Sequence, residues 1–420
     1  MPAPSASTAR KAESPELRRC ESYRNLDARS HWPGLAIVSH PKFKVTHTNR
    51  TTVVRSHLRS GAFFVLLAAA STLARSFGAP AQPPQQQHIP FPDDRIAVHG
   101  LPWFNEDKSA LRRLPQRLKD KFRSPVWDLA QDPSGGRIRF RTDSTTVGLV
   151  AENPGFSNMH HMASVGENGF DLYLDREYLG SAWPDSNGKI AKEWRVGREQ
   201  KMHDVTLYLP LYKPVTIREL TLDAGARIEP ATPYTVQKPV VYYGSSITQG
   251  GCASNPGGSC QAILERRLDA DFVNLGFSGN GMGEPALAEA IAELDPSCIV
   301  LDFWGNPSAD QYAAALPSFV DILRQKHPLI PILILSPFYF PAEATDIGTA
   351  TAQTAKRHTS QDFVRQRRKQ GDHNIVFVDG LKMLNHDQVA GLVDGVHCNS
   401  LGFYFNALGL EPFLRKALRR

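Results

Sequence analysis

Downstream of Pro239 the chain repeats one pattern, a short apolar run followed by a stretch of helical character. The runs are Val240–Tyr243, Phe272–Leu275, Cys298–Phe303, Ile332–Leu335 and Ile375–Val378. Helices are predicted near Gln261–Leu268, Pro285–Leu294, Ala313–Gln325 and Thr351–Gln370, with a last one from about Phe403. Such alternation builds βαβ units and a parallel sheet, an α/β fold with helices on both faces. Ligands of open parallel sheets bind at the carboxyl ends of the strands, so those ends are where chemistry is sought.

Residues 89–236 read differently. Arg137–Thr142, Val147–Ala151, Phe170–Leu174, Val205–Leu209 and Thr216–Leu222 are short and strand-like, several with period-two alternation. Turn-forming stretches such as Asp132-Pro133-Ser134-Gly135-Gly136 separate them. This texture predicts an antiparallel β-sandwich. A short helix is expected around Leu111–Phe122, and residues 82–88 read as a flexible tether. The link from Ile228 to Lys238 carries Pro230 and Pro233, and Pro239 follows it. Proline limits the reach of a linker, so the sandwich is expected beside the mouth of the α/β site.

Charge is unevenly distributed. The formal net charge is +6, but residues 1–81 hold 12 Lys and Arg against 4 Asp and Glu. Removing them from the totals of 48 and 42 leaves 36 basic and 38 acidic residues, a net of −2, so no nucleic-acid partner is expected. The same leader carries Arg55 and Arg59, an apolar run Gly61–Ala74, and Gly78-Ala79-Pro80-Ala81-Gln82. A basic region, an apolar region and small residues in that order form a signal peptide over 55–81. The run is shorter than the roughly 20 residues a spanning helix needs, so the mature chain is expected without a transmembrane segment and secreted or periplasmic. A buried core helix is the alternative for this run. Residues 1–54 then read as a misassigned N-terminal extension.

Export would permit a disulfide between Cys252 and Cys260, eight apart in a Gly-rich loop. Cys20 lies in the leader, Cys298 in an apolar strand, and Cys398 directly after His397. No Cys/His spacing matches a zinc motif, so neither a metal nor a cofactor is expected.

Four motifs fall at strand ends or before the last helix. Gly244-Ser245-Ser246-Ile247-Thr248-Gln249-Gly250 follows the first α/β strand and exposes a serine hydroxyl on a tight turn. Asn274-Leu275-Gly276-Phe277-Ser278-Gly279-Asn280-Gly281 leaves backbone N–H groups uncovered, which suits an anion. Leu301-Asp302-Phe303-Trp304-Gly305-Asn306 ends in a side-chain amide able to donate to an oxyanion. Asp394-Gly395-Val396-His397 places a carboxylate three residues before a histidine, where it can hold the imidazole tautomer. Each motif alone has an ordinary structural explanation; their order and positions carry the functional reading.

These blocks resemble those of SGNH (GDSL-like) hydrolases over residues 238–420. The resemblance implies a flavodoxin-like domain with Ser246 as nucleophile and Asp394 and His397 as its partners. It also implies an oxyanion hole formed by Ser246, Gly279 and Asn306. Two positions depart from the family pattern: Ser245 stands where an Asp is usual, and Pro307 follows Asn306. His161–Gly166 and Gly169-Phe170-Asp171-Leu172-Tyr173 resemble a jelly-roll-like sandwich that precedes such domains in exported bacterial proteins over residues 89–236. Two-domain esterases of this kind often act on carbohydrate esters. The resemblance therefore implies a secreted serine esterase that removes O-acetyl or other short acyl groups from small-molecule or polysaccharide esters. The rival readings are a lipid or thioester hydrolase of the same fold and a non-catalytic carbohydrate-binding protein. His160 and His161 are candidates for the mouth of the site.

The leader gives the first testable expectation. N-terminal sequencing of the exported protein should find a mature chain starting near Gln82, whereas a chain beginning upstream of residue 60 contradicts the signal-peptide assignment.

Overall fold

The computed structural model describes residues 85–153 and 159–419. The proposed extension and signal peptide, and Cys20 with them, lie outside the described residues.

Among the described residues the N-terminal module has ten strands. They are β1 (Gln86–Pro90), β2 (Ala97–His99), β3 (Arg137–Thr142), β4 (Thr146–Glu152), β5 (Phe170–Leu174), β6 (Glu177–Ala182), β7 (Lys189–Arg195), β8 (His203–Tyr208), β9 (Thr216–Asp223) and β10 (Ile228–Glu229). One antiparallel sheet runs β1-β9-β4-β7 and the other β10-β3-β8-β5-β6, with β2 paired to β3. Their apolar faces share one core that includes Ile138, Phe140, Leu149, Phe170, Leu172, Leu207 and Leu222. The alternation of Val205, Leu207 and Leu209 with Thr206 and Tyr208 holds in part: Val205, Leu207 and Leu209 are buried and Thr206 is half-buried, but Tyr208 is buried as well.

Three details differ from the sequence reading. The expected tether contributes Gln86–His88 to β1, which pairs with β9 from Gln86↔Asp223 to Pro90↔Glu219. The helix expected over Leu111–Phe122 is a 3-10 turn at Gln116–Lys121, followed by α1 (Ser124–Ala130). Pro115, extended at the N-cap of that turn, has no N–H for an earlier helical start. A second short helix, α2 (Ser164–Asn168), precedes β5.

The C-terminal domain is the expected α/β alternation. It contains β11 (Val236–Gly244), α3 (Ser246–Gln249), α4 (Cys260–Leu268), β12 (Ala270–Gly276), α5 (Pro285–Ala292), β13 (Cys298–Asp302), α6 (Ala309–Lys326), β14 (Ile332–Leu335), α7 (Ile347–Lys369), β15 (Ile375–Val378) and α8 (Ser400–Leu418). All five strands are parallel in the order β12-β11-β13-β14-β15. This is the flavodoxin-like order, whose switch point lies between the strands flanking the first. Helices cover the sheet, so strands such as Val240-Val241-Tyr242-Tyr243 are apolar throughout and fully buried. Burying each such side chain contributes about 1.5–3 kcal/mol. Tyr243 stacks on Phe319 of α6 with ring centroids 4.8 Å apart.

The sandwich is docked on this domain. The buried guanidinium of Arg137 in β3 pairs with Asp271 of β12 and donates to the main-chain oxygen of Phe272 at 3.1 Å. Burial pushes the Asp271 carboxyl upward, but Arg137, His99 and the Phe272 N–H together outweigh it and leave the group below its ordinary value. Removing one partner of such a pair strands the other charge. Arg137→Met should therefore lower stability by about 3–5 kcal/mol, read as a fall in the unfolding midpoint. A change within 0.5 kcal/mol, the rough range of a neutral surface substitution, would show that the pair does not hold the interface.

Candidate active site

Strand β11 ends at Gly244, which lies level with Gly276 of β12 and Asp302 of β13. A Cβ at Gly244 would come within 2.0 Å of Thr248 Oγ1 and 2.7 Å of the Asp302 main-chain oxygen, so only glycine permits the turn. Ser245 caps α3 by accepting from the Ile247 N–H at 3.3 Å. At the position where the family has Asp, a hydroxyl thus serves as helix cap. Ser246 is the first residue of α3, where backbone N–H groups have no intrahelical acceptor.

The Ser246 hydroxyl lies 2.8 Å from His397 Nε2. His397 Nδ1 lies 2.8 Å from Asp394 Oδ2. The other Asp394 oxygen accepts the N–H groups of Val396 at 3.0 Å and His397 at 2.8 Å. Partial burial raises this carboxyl, but the hydrogen bonds from His397 and Val396 outweigh it and bring its pKa down to about 2. An ionised Asp394 can only accept, so the proton of His397 sits on Nδ1 and Nε2 is left as a base toward Ser246. Gly395 holds the loop at φ +84°, and Val393 N–H closes it on the His397 oxygen at 2.9 Å. The structure thus brings Ser246, His397 and Asp394 into one hydrogen-bonded chain.

The two other expected residues flank the glycine turn. Gly279 sits at φ +66° with no atom within 4 Å of where a Cβ would be, and its N–H meets no acceptor among the described residues. The side-chain oxygen of Asn306 accepts from Gly281 N–H at 2.9 Å. That bond fixes the amide plane, and its Nδ2 meets no acceptor among the described residues. Backbone and amide donors left uncommitted beside a serine–histidine pair are what stabilisation of an oxyanion requires.

Three features escaped the sequence reading because each depends on at least one partner distant in the chain. Gln249, fully buried at the end of α3, accepts the Ser278 N–H at 2.9 Å and donates to Asp132 Oδ2 and the Leu211 oxygen, both at 3.1 Å. One side chain therefore joins the serine helix, the Gly279 loop and the sandwich. Arg113 donates to the oxygens of Asp132 at 2.8 Å and Leu129 at 2.6 Å, and to that of Gly276. Its guanidinium lies over the Phe277 ring, 4.7 Å from the centroid. Burial lowers its pKa to about 10 and raises that of the Asp132 carboxyl to about 6. Asp302, at the end of β13, is buried and pushed up to about 7, held by Thr248 at 2.9 Å and the Trp304 indole at 2.7 Å.

Asp171, in the middle of Gly169–Tyr173, accepts from Gly257 N–H at 2.7 Å and from the Asn255 amide, both beyond α3. Of the two mouth candidates, His161 meets the His397 ring edge-on at 5.4 Å, while His160 is exposed. Cys252 and Cys260 are free, buried thiols, and no disulfide joins them.

This fold and site define an SGNH-type hydrolase. Residues 237–415 match the GDSL-like lipase/acylhydrolase family, and residues 89–228 match the N-terminal region of SGNH hydrolase-type esterases. The chain belongs to this family in its two-domain form and is a carboxylic ester hydrolase. Among solved structures, a Bacteroides ovatus protein described as a GDSL-like lipase is 27% identical, with a TM-score of 0.73 over 80% of this chain and 98% of that one. The salicylyl-acyltransferase SsfX3 of a tetracycline biosynthetic pathway is 22% identical, with a TM-score of 0.67 over 79% and 97%. A family two carbohydrate esterase from Cellvibrio japonicus is 16% identical, with a TM-score of 0.54 over 80% and 98%. The last two likenesses are of fold alone. A comparison with curated protein sequences returned no significant match.

Gln249→Ala should free the Gly279 loop without touching Ser246 or His397. The expected outcome is a fall of about ten- to a hundredfold in kcat with KM nearly unchanged, since small misplacements of transition-state donors are costly. Unchanged kcat in steady-state ester hydrolysis would show that the loop is held by other contacts.

Proposed function

We propose that this protein is an exported serine esterase that hydrolyses O-acetyl or other short acyl esters of carbohydrates through an acyl-enzyme. The observation that carries the mechanism is the chain Ser246–His397–Asp394, with both links at 2.8 Å. His397 Nε2 takes the Ser246 proton as the hydroxyl attacks the ester carbonyl. Asp394 stabilises the imidazolium, and the N–H groups of Ser246 and Gly279 with the Asn306 amide hold the oxyanion. Collapse of the tetrahedral intermediate expels the alcohol, which takes the proton from His397. Water, activated by the same histidine, then releases the acid.

The carbohydrate assignment is supported by the fold shared with a family two carbohydrate esterase, a likeness that covers 80% of this chain and so extends beyond the α/β domain. Among the described residues no helix is long and apolar enough to cross a membrane, which is compatible with an exported product. Neither a metal nor a cofactor enters any step.

Ser246→Ala and His397→Ala should each abolish nearly all turnover of a short-chain nitrophenyl ester, and the double variant should be little worse than either. Asn306→Ala should lower kcat more than it raises KM, by about 2.7–4 kcal/mol of transition-state stabilisation. Wild-type activity in Ser246→Ala would refute the mechanism. Acetylated oligosaccharides should be cleaved in preference to long-chain lipid esters; the reverse preference would refute the substrate assignment and favour a lipid hydrolase.

A further inference from the structure

His397 is shared with a second group of side chains. One ligating atom from each of His161, Cys252 and His397 lies within 4.8 Å of the others. The three come from separate places: His161 from the sandwich segment before α2, Cys252 from the loop after α3, and His397 from the loop before α8. Cys252 is buried and His397 half-buried, whereas His161 is exposed. Cys252 is held in place by its N–H, which donates to the Cys398 oxygen at 2.7 Å.

Two imidazoles and a thiolate are a donor set suited to Zn2+. Tetrahedral zinc with nitrogen at about 2.0–2.1 Å and sulfur at about 2.3 Å needs ligand atoms roughly 3.3–3.6 Å apart. The three atoms, within 4.8 Å of one another, would draw together by up to about 1.5 Å to close the set to that size. The surroundings favour a cation. Asp394 already accepts from His397 Nδ1 at 2.8 Å, the carboxylate–histidine arrangement that orients a metal-bound imidazole. The Asp394 charge also reaches the Cys252 thiol, which burial first and Asp394 second push up to about 12.

We propose that His161, Cys252 and His397 form an inhibitory zinc site that takes His397 Nε2 away from Ser246. The inference rests on His397 being the base of the esterase. Hydrated Zn2+ sheds waters as the two ring nitrogens donate their lone pairs. Cys252 loses its proton to solvent as the sulfur–zinc bond forms, and water or the Ser246 hydroxyl takes the fourth position. With its lone pair on the metal, His397 can no longer accept the serine proton, and hydrolysis stops until the metal is removed. The sandwich thereby supplies a ligand through which metal availability governs the catalytic domain.

The test separates binding from activity. Calorimetric titration of the Ser246→Ala protein with Zn2+ should show one site, and Co2+ added to the unaltered protein should give a thiolate charge-transfer band that Cys252→Ser lacks. Zn2+ should inhibit ester hydrolysis, and a chelator should restore it. His161→Ala should need at least about tenfold more Zn2+ for the same fractional inhibition, each protein being compared with its own metal-free rate. Absence of binding to Ser246→Ala, a Co2+ spectrum without the thiolate band, or equal zinc sensitivity in His161→Ala would overturn the proposal. A protein without esterase activity would refute the functional reading, while the calorimetric and Co2+ measurements would still decide the site.

Discussion

Three strands stop at one level, and the site depends on it. Gly244, Gly276 and Asp302 are register partners across β11, β12 and β13. Above that level the chain turns into the Ser246 helix, the Gly279 loop and the Asn306 turn. The turns are packed so closely that a Cβ at Gly276 would meet the Gln249 nitrogen at 2.1 Å. The strand ends themselves rest on fully buried apolar residues such as Val241, Leu275 and Leu301, so the geometry above them inherits the stiffness of a close-packed core. Thr248 and Trp304 converge on Asp302 beneath the serine turn and satisfy its buried oxygens, which would otherwise cost several kcal/mol.

The sandwich is built into this arrangement. Gln249 and Arg113 carry hydrogen bonds from the Gly279 strand and loop to Asp132, Leu129 and Leu211 in the N-terminal module. Arg113 is fully buried, and its cation is stabilised by main-chain oxygens and an aromatic face. Such a buried polar network is costly to disrupt and admits few alternative geometries, which favours one fixed position for the loop. Asp171 adds a separate tie to the segment after α3. The N-terminal module thus braces the loops of the candidate site directly, beyond any role in contacting substrate.

The fold and the central site residues were legible because their signals are local. Apolar runs with helices between them announce a parallel sheet. Ser246, Gly279 and Asn306 each sit in a short motif at a strand end, and the Asp394–His397 pair sits in one before the last helix. The strand Gln86–Pro90 was not legible, since Gln-Gln-His-Ile-Pro offers one buried residue and becomes a strand only through its pairing with β9. Lys189–Arg195 is a similar case: its outer face is charged, and only Ile190 and Trp194 are buried. Gln249 and Arg113 gave no signal because the bonds that tie them to the Gly279 strand and loop reach Ser278, 29 residues from Gln249, and Gly276, 163 residues from Arg113, only in the folded chain.

The central claim is that Ser246, activated by His397, forms the covalent intermediate. The most direct measurement is peptide mapping by mass spectrometry after treatment with an organophosphate that mimics the tetrahedral intermediate. The account predicts a single phosphorylated peptide with the label on Ser246, formed at a greatly reduced rate in His397→Ala. Loss of esterase activity with the label on another residue, or full activity with no label on Ser246, would contradict it.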